Sequence, residues 1–152
     1  MELNWALRPF EELTTEELYN ILQLRSEVFV VEQNCVYQDV DGKDLKSTHL
    51  MAWDGKNLAA YTRLVPAGIS FAEASIGRVI TSPRYRGLGI GVTLMEKSIA
   101  YTLNIYNTNK IRIGAQLYLK KFYENLGFIA EGEEFLEDGI PHIEMVLVEK
   151  KR

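Results

Sequence analysis

The stretch Arg84-Tyr85-Arg86-Gly87-Leu88-Gly89-Ile90-Gly91 has residue types and spacing suited to one kind of chemistry, the holding of an anion. Glycines let a backbone turn tightly and bring its N–H groups against a ligand without a Cβ in the way. An apolar run, Ile76 to Ile80, precedes the glycines across a Ser82-Pro83 break, and a helical pattern follows them. A helix start after such a loop adds orphan N–H donors and a partial positive charge. Strand, glycine loop and helix start together make a cradle for phosphate groups. The nucleotide-hydrolase loop is excluded, because no Gly-Lys-Ser/Thr triplet occurs. The dinucleotide fingerprint is excluded too, because Val92 stands where its third glycine would fall. What remains is Arg84-x-x-Gly87-x-Gly89, which by itself fits equally a glycine-rich turn leading into a helix.

The other candidates are weaker. Cys35 with His49 or His142 could form a thiol–imidazole pair for nucleophilic catalysis. A lone cysteine at an apolar helix end reads instead as packing, and His142, following Pro141 in a turn, reads as a surface histidine. A single cysteine also excludes an internal disulfide and a C-x-x-C metal site. Asp39, Asp41 and Asp44 lack the order of a calcium loop and read as a solvated acidic loop, so no metal is expected. A net charge of −4 argues against nucleic acid or an anionic membrane as partner. With Glu131, Glu133 and Glu134, those acids could favour a cationic amine, or only solubilise the chain. The start MELNWALRPFEEL lacks signal-peptide character, and no apolar run suffices to span a bilayer, so a cytoplasmic protein is expected.

A chain of 152 residues, 47% hydrophobic and 25% charged, is long enough for one globular domain with one sizeable core, here residues 1–152. A strand is expected over Leu3–Leu7. The capping box Thr14-Thr15-Glu16-Glu17 opens a helix running to about Val30. Strand-like runs at Thr48–Trp53 and Leu58–Val65 flank an Asp54-Gly55 turn, a hairpin signal. A strand over Ser75–Thr81 leads into the cradle. Val92, Met95, Ile99, Leu103 and Tyr106 then mark one face of a helix. A strand at Lys110–Gly114, a helix over Leu117–Asn125 closed by Gly127, and a terminal hairpin from Phe128–Phe135 and Ile143–Glu149 complete the order β-α-β-β-β-α-β-α-β-β. This predicts an α/β (α+β) fold: a mixed, mostly antiparallel sheet with one parallel right-handed β-α-β crossover and helices on both faces. A ligand would sit beyond the carboxyl end of the strand before the crossover, where the cradle lies.

That order, the glycine hexad and the run Phe122-Tyr123-Glu124-Asn125-Leu126-Gly127-Phe128 resemble the GNAT superfamily of N-acetyltransferases. Within it the chain is similar to the ElaA-like proteins over nearly its whole length. The residues that carry this are Val28 to Cys35, Tyr37 to Gly42, Ile76 to Val79 and Glu137 to Ile143. The resemblance implies acetyl-CoA as cosubstrate and transfer of an acetyl group to a primary amine by direct attack in a ternary complex. It implies that backbone groups of Val79, Ile80 and Thr81 lie along the pantetheine arm. Arg86, Gly87, Leu88, Gly89, Ile90 and Gly91 would offer N–H groups to the pyrophosphate, with Arg84 nearby. Gln116 stands where the family often has a coenzyme-binding asparagine, and Tyr123 where many members protonate the leaving thiolate. The other classes left open are a non-catalytic acyl-CoA sensor and a dimerisation domain with a vestigial cradle. A tyrosine acid favours the enzyme, and a homodimer is compatible with any of the three.

Overall fold

The computed structural model describes residues 2–150. Seven strands and three α-helices follow the expected order: β1 Asn4–Pro9, α1 Thr15–Arg25, β2 Thr48–Asp54, β3 Asn57–Val65, β4 Ser75–Thr81, α2 Ile90–Ile105, β5 Lys110–Gln116, α3 Lys120–Glu124, β6 Ile129–Glu137 and β7 Ile140–Val148. The capping box forms as expected: the Glu17 N–H donates to the Thr14 hydroxyl at 3.0 Å, and the Thr14 N–H donates to the Glu17 carboxylate at 2.9 Å. Both hairpins close on two-residue turns. Asp138 and Gly139 both have positive φ, 51° and 78°, the pair a type I′ turn needs. That turn is tighter than the sequence suggested, so β6 and β7 extend to Glu137 and Ile140.

Alternation along the strands splits the core between the two sheet faces. Met51 and Tyr61 point to α1, where they meet Ile21, Leu24 and Val28. Leu50, Ala52 and Ala60 point the other way, to Ile90 and Leu94 of α2. A third cluster joins Met95 of α2 to Ile111, Ile113, Met145 and Phe128 of the C-terminal half. Helices therefore cover both faces, as expected. Among the described residues, no helix is long and apolar enough to cross a membrane.

The sheet differs from the expected one in a way that makes the site. β1-β2-β3-β4 form one antiparallel sheet and β5-β7-β6 a second. The parallel crossover β4-α2-β5 exists, but its two strands meet through a single bridge, Ala74 with Ile111, where the Arg112 N–H donates to the Ala74 carbonyl at 3.0 Å. Beyond that bridge they diverge. β4 carries an extra residue against β3 near Arg78, which sits at φ 50°. A bulge of this kind bends a strand, and the pairing with β3 resumes beyond it at Ile80 and Thr81. Among the described residues, β4 from Ser75 onward pairs with β3 alone, so its other edge is free.

α1 also departs from the expected helix to Val30. After Arg25 the chain widens into a π-helical turn over Ser26–Glu32. The Gln33 and Cys35 N–H groups reach back five residues, to the Val28 and Val30 carbonyls. Such turns shift the side-chain register and recur at functional sites. Here the turn brings Phe29, Glu32 and Gln33 to the wall of the cleft.

Candidate acyl-coenzyme site

The divergence of β4 from β5 opens a cleft of about 1020 Å³. One wall is the free edge of β4, with Val79, Ile80 and Thr81. The opposite wall is β5 and β7, with Gln116, His142 and Glu144, and α3 adds Phe122 and Tyr123. The start of α2 closes one end, where a Cβ on Gly91 would lie 3.7 Å from the Thr81 hydroxyl.

The glycine loop forms the rim at that end. Gly87 and Gly89 take φ of 82° and 76°, conformations that side chains with a Cβ rarely adopt. Space beside both is open. Gly89 is the N-cap of α2 and gives it no side-chain cap. Among the described residues, none accepts a hydrogen bond from the N–H groups of Gly87, Leu88 or Gly89. Unmet donors on an exposed loop before a helix start are the arrangement that holds phosphate. Tyr85 anchors the loop from beneath, its ring buried and its hydroxyl donating to Asp54 at 2.7 Å.

The two loop arginines differ in place. Arg86 lines the cleft, spanning it to hold Glu32 at 2.8 and 2.7 Å, while its Nε donates to the Thr81 carbonyl at 3.2 Å. That hydrogen bond and charge hold the Glu32 carboxyl below its ordinary value. Arg84 points outward on a 3-10 turn and does not line the cleft; Leu88 is exposed and Ile90 packs into the core. Gln116 faces Gln33 across the gap, their amides 3.4 Å apart.

Tyr123 is held by packing rather than by hydrogen bonds. Its ring is buried edge-on between Phe122 and Phe128, at 5.2 and 5.9 Å. Gly127 at φ 104° lets the chain turn so that the Phe128 N–H returns to the Tyr123 carbonyl at 3.1 Å. Burial first, and the neighbouring Tyr118 second, push its phenol up to about 12. It therefore stays protonated near neutrality and can donate a proton as negative charge develops beside it.

At the far end the expected solvated acidic loop is overturned. Asp39 and Asp44 are buried, and with Asp41 they bind three arginines. Arg25, fully buried, holds Asp39 at 2.9 Å and Asp44 at 2.7 Å. Arg63 holds Asp41 at 2.8 Å and Asp44 at 3.0 Å. Arg78 holds Asp39 at 2.8 Å and stacks on Tyr37, 5.5 Å from its ring centre. Burial works to raise the Asp41 carboxyl, but Arg63 outweighs it and holds it to about 2. These acids are neutralised, so they supply no field for a cationic acceptor, and Glu131 is spent on Arg112. The sequence signal was in the arginines: Arg25, Arg63 and Arg78 each fall on an otherwise buried helix or strand face.

The histidines separate. His49 is buried, its Nε2–H donating to the Asp44 carbonyl at 3.0 Å and its Nδ1 accepting from the Tyr61 hydroxyl at 2.6 Å. It is structural and does not pair with Cys35, whose thiol donates to the Asp138 carbonyl at 3.4 Å. His142 is not the expected surface histidine. It is buried in the cleft wall, because the tight hairpin turn extends β7 to include it. No cluster able to hold a metal ion occurs among the described residues.

The acetyltransferase (GNAT) domain family matches residues 11–149. Protein ElaA of Escherichia coli K12 is 41% identical over 145 residues, covering 94% of this chain and 95% of ElaA. Its crystal structure superposes with a TM-score of 0.90, at 40% identity, over 96% of this chain and 99% of that one. An acyl-CoA N-acyltransferase from Pseudomonas aeruginosa superposes with a TM-score of 0.92 at 43% identity, over 97% of this chain and all (100%) of its own. A fold whose parallel strands part beside a glycine loop, matched along its length by these relatives, makes the chain a member of the GNAT acetyltransferase family, similar to ElaA.

Proposed function

We propose that this protein is an acetyl-CoA-dependent N-acetyltransferase that acylates a primary amine within a ternary complex. The observation that carries this reading is the parting of β4 from β5 after one bridge, with unmet N–H donors at one end of the gap. The residues fit an acyl coenzyme. The free edge of β4 at Val79, Ile80 and Thr81 can pair with the amides of a pantetheine arm as an added strand. Gly87, Leu88 and Gly89 can donate to the pyrophosphate, with Ile90 and Gly91 opening the helix behind them and Arg86 able to move from Glu32 to a phosphate. Arg84 acts from the solvent side of the loop as a charge rather than as a contact. Gln116 exchanges its amide partner Gln33 for the arm.

The thioester brings an activated acyl group, and the protein orients the two reactants, which accounts for most of the rate gain in such complexes. Free N–H groups on the bulged edge of β4 can stabilise charge on the thioester carbonyl oxygen. Tyr123 donates its proton to the leaving sulfur, and the amine makes a direct attack without a covalent enzyme intermediate. The test is thiol release from acetyl-CoA by the purified protein in the presence of primary amines: an aliphatic diamine, a phenethylamine and lysine amide. Amine-dependent thiol release with a matching mass gain on the amine supports the enzyme. Coenzyme binding without release to any amine would favour the sensor.

A further inference from the structure

We propose that His142 is the general base that takes the proton from the acceptor ammonium, with Glu137 as its positioning residue. This rests on the acyltransferase reading above. The register of the second sheet places it. His142 on β7 lies opposite Gln116 of β5 on one side and Phe135 of β6 on the other, so the three side chains form one row on the sheet. Gln116, Phe135 and His142 all line the cleft that Tyr123 also lines. The imidazole is stacked on Phe135 at 5.8 Å with 27° between the rings.

The hydrogen bonds fix which nitrogen does the work. A carbonyl oxygen can only accept, so the 2.7 Å contact to the Ile140 carbonyl places a proton on Nδ1. The neutral ring then carries its lone pair on Nε2. Nε2 lies 3.4 Å from a carboxylate oxygen of Glu137, a side chain that is 61% exposed and free to pivot. Both groups are then acceptors, and their 3.4 Å spacing lets one alkylammonium nitrogen sit beside the pair within hydrogen-bond reach of each. An alkylammonium placed there donates one N–H to Nε2 and another to Glu137. The remaining charged groups on this wall are Asp138, in the turn, and Glu144, on the same strand and held by Arg112 at 3.0 Å. Cys35 is the neighbour from the other side, with its thiol on the Asp138 carbonyl. Glu144 is thus neutralised by Arg112, and among the described residues the carboxylates left at the amine seat beside His142 are Glu137 and Asp138.

The step balances. The ammonium gives a proton to Nε2, and the freed nitrogen lone pair forms the C–N bond at the thioester carbonyl. The C–S bond then breaks, and sulfur takes the Tyr123 proton. The second N–H proton of the former amine restores Tyr123, and the imidazolium, paired with Glu137, returns its proton to water.

The test is the pH dependence of kcat/KM with acetyl-CoA and the three amines named above, for wild type, His142→Gln and Glu137→Gln. In wild type, kcat/KM reaches a plateau while the bulk amine is still protonated. In H142Q it is lower by about 10²- to 10⁴-fold at neutral pH. It then rises about tenfold per pH unit toward the acceptor's own pKa, because only free amine reacts. E137Q raises KM for the amine with kcat little changed. Added imidazole restores activity to His142→Ala. An H142Q profile parallel to wild type, with coenzyme affinity and melting temperature unchanged, overturns the base. So does a His142→Ala protein that imidazole leaves inactive while its coenzyme affinity is normal. Wild type that acylates no amine overturns the acyltransferase reading itself, and the base with it.

Discussion

The two ends of the cleft treat polar groups in opposite ways. At the glycine loop, N–H donors of Gly87 to Gly89 are exposed and unmet, and α2 starts uncapped. At the other end Arg25, Arg63 and Arg78 and Asp39, Asp41 and Asp44 pair with one another, mostly out of water. Unmet groups cost little where water can reach them and are available to a ligand. Buried charges are tolerable only when paired, and they then fix one arrangement of the chain around them. On the proposed reading, binding belongs to the first end. The second ties the loop after the π-helical turn to β3 and β4, and so sets the geometry of the gap.

Changes in the two regions should fail differently. The largest expected effect lies between them, at Tyr123. Tyr123→Phe should lower kcat by about 10²- to 10⁴-fold while coenzyme affinity, measured by titration, changes little. A kcat within about twofold of wild type, with chemistry rate-limiting, would remove the acid from the mechanism.

Next comes the arginine network. Arg25→Ala leaves Asp39 and Asp44 short of their buried partner. Removal of one member of a buried pair costs about 3–5 kcal/mol, which in a chain of this size is a melting temperature lower by about 10 °C. The loss should appear in calorimetry of the protein without coenzyme. A variant that melts like wild type but binds coenzyme poorly would assign Arg25 to the wrong end.

Acid should act on the same end. Burial first pushes the His49 ring below its ordinary 6.5, against the Asp44 carbonyl. Asp41 is held to about 2 against an ordinary 3.8, Arg63 outweighing burial. In both cases the unfolded chain binds protons that the folded one refuses, so stability is full above the unfolded values and falls as pH drops. Melting temperature should be level above about pH 6.5, decline below it, and fall more steeply between about pH 4 and 2. Asp41→Asn should flatten the last segment; an unchanged slope there would show that Asp41 is not a contributor.

The smallest effect is at the rim. Glu32 and Arg86 are each nearly half exposed, so their pair is worth about 0.2–1 kcal/mol. Glu32→Gln should free Arg86 and tighten coenzyme A binding by about two- to fivefold, read by titration. Weaker binding would mean that the pair shapes the rim rather than competing for it.

The glycine-loop end was legible in the sequence because its signals are local. Gly87-x-Gly89 before an apolar helical pattern, and Phe122 to Phe128 around Gly127, encode backbone conformation over a few residues. The opposite end was not, because its partners lie far apart along the chain: Arg25 with Asp44, Arg63 with Asp41, Arg78 with Asp39. A string of acids in a loop reads as solvated until the arginines that neutralise it are placed beside it. His142 was misread for a related reason. Its exposure depends on where β7 begins, and the two-residue Asp138-Gly139 turn moved that start to Ile140. Neither the parting of β4 from β5 after Ala74 nor the bulge at Arg78 is announced by a local residue pattern.

The central claim, that the gap beside β4 and the glycine loop hold an acyl coenzyme, is tested most directly by calorimetric titration of coenzyme A into wild type and Gly89→Asp. The substitution puts a Cβ at φ 76° and a carboxylate where the pyrophosphate should lie, with no neighbouring atom within 4 Å of that Cβ to be displaced. Saturable binding by wild type and none by Gly89→Asp, with the variant still folded by circular dichroism, is the predicted result. Equal affinity in the two proteins would contradict the site.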